Sequence, residues 1–216
     1  MRILIACEES QTVCKAFRAK GHEAYSNDII ECSGGHPEWH LQMDVLEAIK
    51  LMDWDLIGMH PPCTAMTLSG NRHYGPGKPK HWQRVEAVEW TYNLWRIACK
   101  KSEKVYMENP IGAMNTDSRF PKPQIIQPYY FGDEFQKTTC LWLKGLSILL
   151  HIKEDDLFDN KTHVGKGEMV TFKSGKVMPK WFADSPSTNN PDNAKLRSVT
   201  FPGIAEAMAA QWGLLC

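Results

Sequence analysis

At 216 residues the chain is long enough for one sizeable core and a small appended lobe, and its 43% hydrophobic and 23% charged content is that of a soluble globular protein. Lysines plus arginines equal aspartates plus glutamates, at 25 each. Bulk charge is therefore excluded as the means of gripping a phosphate backbone, and a local basic patch is the remaining route.

No apolar run approaches the length that crosses a bilayer, and Met1-Arg2 leads into a strand-like segment rather than a signal peptide, so a cytoplasmic protein without a membrane partner is expected. The seven cysteines are scattered, contain no CxxC pair and read as reduced thiols. Cys32, His36 and His40 are the one grouping with loosely metal-like spacing. They surround a Gly-Gly-His-Pro turn, which reads as a loop, and no metal is expected.

In chain order, Arg2 to Cys7 is an apolar run of strand length. A helix is predicted from Thr12 to Lys20, stopped by Gly21. His22 to Asp28 reads as a second strand, Ile29 to His36 as a loop, and a brief strand ends near Gln42-Met43. Asp44 to Met52 reads as a short helix, and Asp55 to Met59 as a buried strand ending in His60-Pro61-Pro62-Cys63. A Gly- and Pro-rich loop, Ser69 to Pro79, precedes a long amphipathic helix, Trp82 to Lys100. The next strand, Lys104 to Met107, ends in Glu108-Asn109-Pro110.

Beyond Pro128, Phe131-Gly132 and Lys144-Gly145 bracket a predicted hairpin with Thr138 to Leu143 as one strand. From Leu146 to Leu196 no periodicity persists, and Thr200 to Gly213 reads as a final helix. Strands alternating with helices predict an open, doubly wound α/β sheet, whose ligands bind at the carboxyl ends of the strands. Cys7-Glu8, Asp28, Asp44, Cys63 and Glu108 then fall along one edge.

Two strand ends carry chemistry. Pro61-Pro62-Cys63-Thr64 presents a cysteine on a stiff turn. A cysteine is a good nucleophile as thiolate, in an electropositive and partly exposed setting, whereas most free cysteines are simply buried. Glu108-Asn109 presents a carboxyl beside an amide. If burial raises its pKa, it can stabilise protonation of the ring nitrogen in an amidine-like base edge; a loop-ordering carboxylate is the plainer alternative.

Pro-Pro-Cys at 61–63, followed by Glu108-Asn109, resembles the DNA cytosine carbon-5 methyltransferases, with their Pro-Cys and Glu-Asn-Val signatures. The resemblance covers residues 1–145 and 196–216 and extends to compact phage proteins of that plan. It implies a Rossmann-like methyltransferase sheet, with Cys63 adding to carbon 6 of cytosine and Glu108 assisting at ring nitrogen 3. S-adenosylmethionine is the implied methyl donor and DNA the implied partner. Around the cofactor it places Cys7, Glu8, Ser10, Asp28, Ile29, Asp44, Pro61 and Ser198, and around the base Pro62, Arg72, Asn109 and Lys137. Cys7-Glu8-Glu9-Ser10 stands where the family has Phe-x-Gly-x-Gly. Lys137 alone keeps the charge of the family's Gln-Arg-x-x-Arg strand, with Thr138 and Cys140 where later arginines stand. Arg197 to Ala205 resembles the closing segment over the cofactor.

The loop from Ser69 to Trp82, with Arg72, His73, Lys78, Lys80 and His81, suits a lid over the substrate or an ordinary surface loop. Residues 146–195 form a small irregular insert, expected as a substrate-recognition lobe. Lys161, His163, Lys166, Lys173, Lys176 and Lys180, interleaved with Phe172, Trp181 and Phe182, suit phosphate contact and base stacking, while Glu154, Asp155 and Asp156 show that it is not uniformly basic. Three alternatives stay open: the same chemistry on a free deoxycytidine nucleotide, methylation of an exocyclic amine, and a catalytically silent nucleic-acid binder. Oligomeric state is not legible.

Overall fold

The computed structural model describes residues 1–154, 161–184 and 198–214. Arg197, Asp155, Asp156 and the rest of the lobe's expected residues between 185 and 197 lie outside them.

Seven strands form one sheet in the order β3-β2-β1-β4-β5-β7-β6. They are β1 (Arg2–Ala6), β2 (Glu23–Asp28), β3 (His40–Gln42), β4 (Leu56–Met59), β5 (Lys104–Pro110), β6 (Gln124–Ile126) and β7 (Thr139–Lys144). β1 to β5 are parallel to one another, and β7 runs antiparallel between β5 and β6. The chain winds outwards from β1 to β3, then crosses back to place β4 on β1's other side, so the topological switch lies between the carboxyl ends of β1 and β4.

Alternation along the strands builds a core on each face. Leu4, Ile57, Val105 and Met107 face one way and pack with Ala48 and Ile49 of α2 (Val45–Leu51) and Leu94, Trp95 and Ala98 of α4 (His81–Lys101). Ile3, Ile5, Leu56 and Tyr106 face the other way, against Val13, Cys14 and Phe17 of α1 (Thr12–Ala19) and Ile204, Met208 and Trp212 of the last helix, α6 (Pro202–Trp212). This is the doubly wound α/β arrangement that the alternating pattern predicts.

Four local readings change. β5 continues through Glu108 and Asn109 to Pro110, because antiparallel β7 pairs with it beyond the point where parallel β4 has ended: Glu108 lies opposite Leu141 and Asn109 opposite Cys140. The partners of β7 are β5 and the three-residue edge strand β6, rather than a strand inside the bracket from Phe131 to Gly145; the four residues between Pro123 and Pro128 are too few to show a period. The Gly- and Pro-rich loop contains a helical turn, α3 (Asn71–Tyr74). In the insert, β8 (Met169–Thr171) and β9 (Val177–Pro179) form a hairpin, followed by α5 (Lys180–Asp184). Its turn is a Ser-Gly pair with Gly175 at φ 78°, a signal present in the sequence.

Candidate active site at the carboxyl edge of the sheet

The edge is assembled from turns that leave β1, β2, β4 and β5. After β1, Cys7 and Gln11 adopt the left-handed conformation, with φ 58° and 59°. That conformation ordinarily favours glycine, so the backbone demand of a tight turn is met here without glycines. Gln11 shows how. Its buried amide donates to the Ser26 hydroxyl at 3.1 Å and to the His36 carbonyl at 2.8 Å, and accepts from His36 N–H at 3.0 Å. Gly34 lies so close that a Cβ there would stand 2.5 Å from Gln11 Cβ. Gln11 was not singled out from the sequence.

Glu8 turns inwards to the amino end of α1. Its carboxylate accepts from Val13 N–H at 2.6 Å and Cys14 N–H at 3.2 Å, and burial pushes its pKa up to about 7 against the pull of His60 and those two amides. Ser10 is half-buried and accepts from the Thr12 hydroxyl at 3.2 Å. Cys7, Asp28 and Asp44 are brought together: burial, then the Asp28 and Asp44 charges, push the Cys7 thiol up to about 12. Asp28 accepts from the Ile29 and Ile30 amides through one carboxylate oxygen, at 2.7 and 3.3 Å. Ile29 is 71% exposed, an uncovered apolar side chain beside two acids. Asp44 caps α2, accepting from Leu46 N–H at 2.8 Å.

His36 bonds Glu38, and His40 lies between the Ser26 hydroxyl and the Ile30 carbonyl, so both imidazoles of the loose Cys32 grouping serve loop structure. Among the described residues no cluster of three or more His, Cys, Asp or Glu is arranged to hold a metal ion, and no helix is long and apolar enough to cross a membrane.

The turn after β4 carries Cys63. Pro61 is buried and Pro62 exposed, and the Cys63 carbonyl accepts from Met66 N–H at 2.8 Å, closing a single turn. Asn109 secures this turn from β5, donating through Nδ2 to the Pro61 carbonyl at 2.8 Å. The next residues are pinned by two further contacts. Thr67 bridges Gly112, where a Cβ would stand 2.0 Å from the Met66 carbonyl oxygen. Arg84 of α4, buried, donates to the carbonyls of Ala65 at 2.7 Å and Thr67 at 3.0 Å and to the Asn71 amide oxygen at 2.5 Å. Arg84 was hidden in the sequence among the polar positions of a long helix. Arg72, by contrast, is exposed on α3.

Cys63 is half-buried and lies within the electrostatic reach of Glu108 and Lys137. Burial and the Glu108 charge raise its pKa, while Lys137 opposes them. The resting group is thus a thiol, and the electropositive setting expected from the sequence is supplied only in part, by Lys137. Lys137 donates to the Val199 carbonyl at 3.2 Å and stands 5.8 Å from the Phe201 ring centre. Ser198, exposed, directly precedes Val199.

Glu108 does not meet the condition of a pKa raised by burial. Burial acts to raise its pKa, but hydrogen bonding from His60, with the Lys137 and His60 charges, holds it below the usual carboxylate range. His60 Nδ1 is 3.5 Å from Glu108 Oε2, and His60 Nε2 is 3.0 Å from the Tyr106 hydroxyl. The edge therefore holds a cysteine thiol, an ionised carboxylate and a lysine together, with a second acidic grouping at Asp28 and Asp44 across the switch point.

The described part of the insert docks beside Lys137: Trp181 donates to the Gln136 carbonyl at 3.3 Å and packs edge-on against Phe135 and Phe201. Further along, Tyr129, Tyr130, His151, Lys153, Lys161, His163 and Lys166 line a cleft of about 730 Å³.

No family model matches this sequence, and no curated protein matches it. Among solved structures the chain is similar to the Entamoeba histolytica methyltransferase EhMeth, with 13% identity and a TM-score of 0.50 over 78% of this chain and 58% of that one. It is also similar to the S. pombe Dnmt2 methyltransferase (14%, TM-score 0.48, 75% and 57%). A third is a candidate DNA modification methyltransferase encoded within an E. coli prophage (14%, TM-score 0.47, 76% and 52%). The chain thus spans little more than half the length of these structures. At 13% identity the likeness to EhMeth is one of fold, the Rossmann-like methyltransferase sheet.

Proposed function

We propose that this chain transfers a methyl group from S-adenosylmethionine to carbon 5 of cytosine in DNA, through a covalent adduct on Cys63. The observation that carries this reading is the meeting of Cys63, Glu108 and Lys137 at the ends of adjacent strands, where the two charges act on the thiol with opposite sign.

Carbon 5 of cytosine is a poor nucleophile until addition at carbon 6 makes it enamine-like. Cys63, having lost its proton, forms a bond to carbon 6, and the displaced electron pair moves into the ring. Glu108, ionised, suits the ring's N3–N4 edge: as N3 takes up a proton from solvent during the addition, two parallel N–H groups face two carboxylate oxygens, and N3 returns that proton to solvent when Cys63 leaves. After carbon 5 has gained its methyl group, its proton leaves to solvent, the carbon–sulfur bond breaks and Cys63 departs as thiolate. Lys137 favours that thiolate at both ends of the sequence. Asn109 and Pro61 hold the Cys63 turn.

The residues at the switch point fit the cofactor. Asp28 keeps one carboxylate oxygen for ribose hydroxyls, Ile29 offers uncovered apolar surface to adenine, and Asp44 and Cys7 stand with Asp28, while Ser10 and Ser198 enter through the family resemblance alone. Glu8 belongs to this set through the shape of the turn, since its carboxylate is engaged by α1. Bound there, S-adenosylmethionine supplies an electrophilic methyl group.

Residues 1–145 with 196–216 form the catalytic unit of this reading and 146–195 its recognition lobe. Exposed Arg72, His73, Lys78 and Lys80 follow the nucleophile, and Lys153, Lys161 and Lys166 line the cleft. These local groups suit phosphate contact on a neutral chain, and a base within a duplex would have to be flipped out.

The test is incubation of the purified chain with labelled cofactor and cytosine-containing DNA, followed by nucleoside analysis, with 5-fluorocytosine DNA to trap the adduct. Label in 5-methylcytosine and a trapped adduct, both lost in Cys63→Ala, are expected. The raised Cys63 pKa favours a silent nucleic-acid binder as the second reading, which predicts DNA binding without an adduct. Activity on free deoxycytidine nucleotides with no salt-sensitive DNA binding would move the substrate, not the chemistry.

A further inference from the structure

Resting on the proposed reaction, we infer that His60 is a positioning residue for Glu108, with its proton placed on Nδ1 by the hydroxyl of Tyr106. The device is built across two strands. Gly58 of β4 lies opposite Tyr106 of β5, and a Cβ at Gly58 would stand 2.3 Å from the tyrosine ring. The absence of that atom lets the ring lie across β4, edge-on to His60 with centroids 5.6 Å apart, while Trp212 packs on it at 5.1 Å.

Tyr106 is fully buried, and burial followed by the Glu8 and Glu108 charges raises its pKa well above that of a free phenol. Its oxygen therefore keeps its proton throughout the working range. A phenol that donates to Nε2 at 3.0 Å makes that nitrogen an acceptor, which leaves the neutral ring's proton on Nδ1. Nδ1 faces Glu108 Oε2 at 3.5 Å and the Thr200 hydroxyl at 3.4 Å. Glu108 is thus approached from behind at Oε2, and Oε1 with the outward side of Oε2 is left to meet the base. The titratable groups around His60 are Glu8 from the turn before α1, Tyr106 and Glu108 from β5, and, beyond Glu108, Lys137 ahead of β7. The imidazole shares a buried space with two carboxylates, and its Nδ1 lies within 3.5 Å of the one the reaction uses.

The experiment combines two measurements on the full chain. NMR of the imidazole nitrogens should show the Nδ1–H tautomer in the wild-type chain, and the Glu108 carboxyl should titrate at higher pH in His60→Ala, with His60→Asn restoring part of the difference through its own N–H. Tyr106→Phe, which keeps the imidazole, should mix the tautomers. In the 5-fluorocytosine trap, adduct formation by His60→Ala relative to wild type should fall at least about threefold further at pH 6 than at pH 8, because Glu108 is protonated sooner. An Nε2–H tautomer, or a Glu108 titration unmoved in both His60 variants, overturns the inference. If His60→Ala does not fold, His60→Asn and Tyr106→Phe decide it. A wild-type chain that forms no adduct overturns the reaction itself and the catalytic role of His60 with it, while the titrations still decide whether His60 controls Glu108.

Discussion

Asn109 donates from Nδ2 to the Pro61 carbonyl at 2.8 Å, so the residue next to the carboxylate in β5 holds the turn that carries the nucleophile from β4. Two strand ends 48 positions apart in sequence are thereby fixed to one another. In the proposed reaction, where the two groups act on opposite sides of one ring, this coupling matters because small misplacements of reacting groups are costly.

Asn109→Ala should therefore uncouple the two. Loss of the buried bond leaves the Pro61 carbonyl unpartnered, with an expected cost of about 1–3 kcal/mol in urea unfolding. The rate of adduct trapping should fall roughly 100-fold even at full folded fraction. Unchanged trapping would remove Asn109 from the positioning of Cys63.

The Cys63 thiol should report its neighbours directly. Because burial and Glu108 raise its pKa and Lys137 lowers it, Glu108→Gln should speed alkylation by iodoacetamide at pH 8 and Lys137→Ala should slow it. With the thiol largely protonated, each unit of pKa is about tenfold in thiolate, so changes of roughly threefold or more are expected, read by mass mapping of the Cys63 peptide.

Glu8 makes stability depend on pH. Its folded pKa is raised to about 7 from an ordinary 4.5, so the folded chain binds more protons than the unfolded one between those values. Stability is therefore greatest below the lower pKa and falls as pH rises to the upper one, by about 3 kcal/mol at most. The difference between wild type and Glu8→Gln in urea unfolding should follow that window, the variant gaining relative stability from pH 5 to pH 8. A difference that does not vary with pH would show that Glu8 is ionised at no cost.

Arg84 should govern the segment after the nucleophile. Lysine at 84 cannot reach three acceptors with one planar group. Arg84→Lys is expected to cost about 1–3 kcal/mol and to lower hydrogen-exchange protection of the Met66, Thr67 and Gly70 amides selectively. Uniform loss of protection across the sheet would point to general destabilisation instead.

Much of the fold was legible because periodicity is a local property. β1, β2, β4, α1, α2, α4 and α6 fall within one or two residues of the expected spans, since each buries a face or stripe that the sequence writes out directly. The strands of the antiparallel end were less legible. β6 has only three residues, and the outer part of β5 exists because β7, some thirty positions later, pairs with it. The expected site residues divide in the same way. Cys63, Glu108 and Lys137 are brought together in one group along the carboxyl edge and Cys7, Asp28 and Asp44 in another, while Arg72 is exposed on α3, and Glu8 and Asn109 use their polar groups to hold turns.

By itself, then, the sequence determined the α/β order and the strand ends on which reactive groups stand, because hydrophobic period and turn chemistry act over a few neighbouring residues. Only the tertiary structure decided the charge states. A carboxylate that burial alone would raise is held down by His60 and Lys137, and a cysteine that needs an electropositive setting to ionise is raised by burial and by Glu108. Ionisation depends on desolvation and on charges a few ångströms away, and those neighbours come from strands and loops that are distant in sequence.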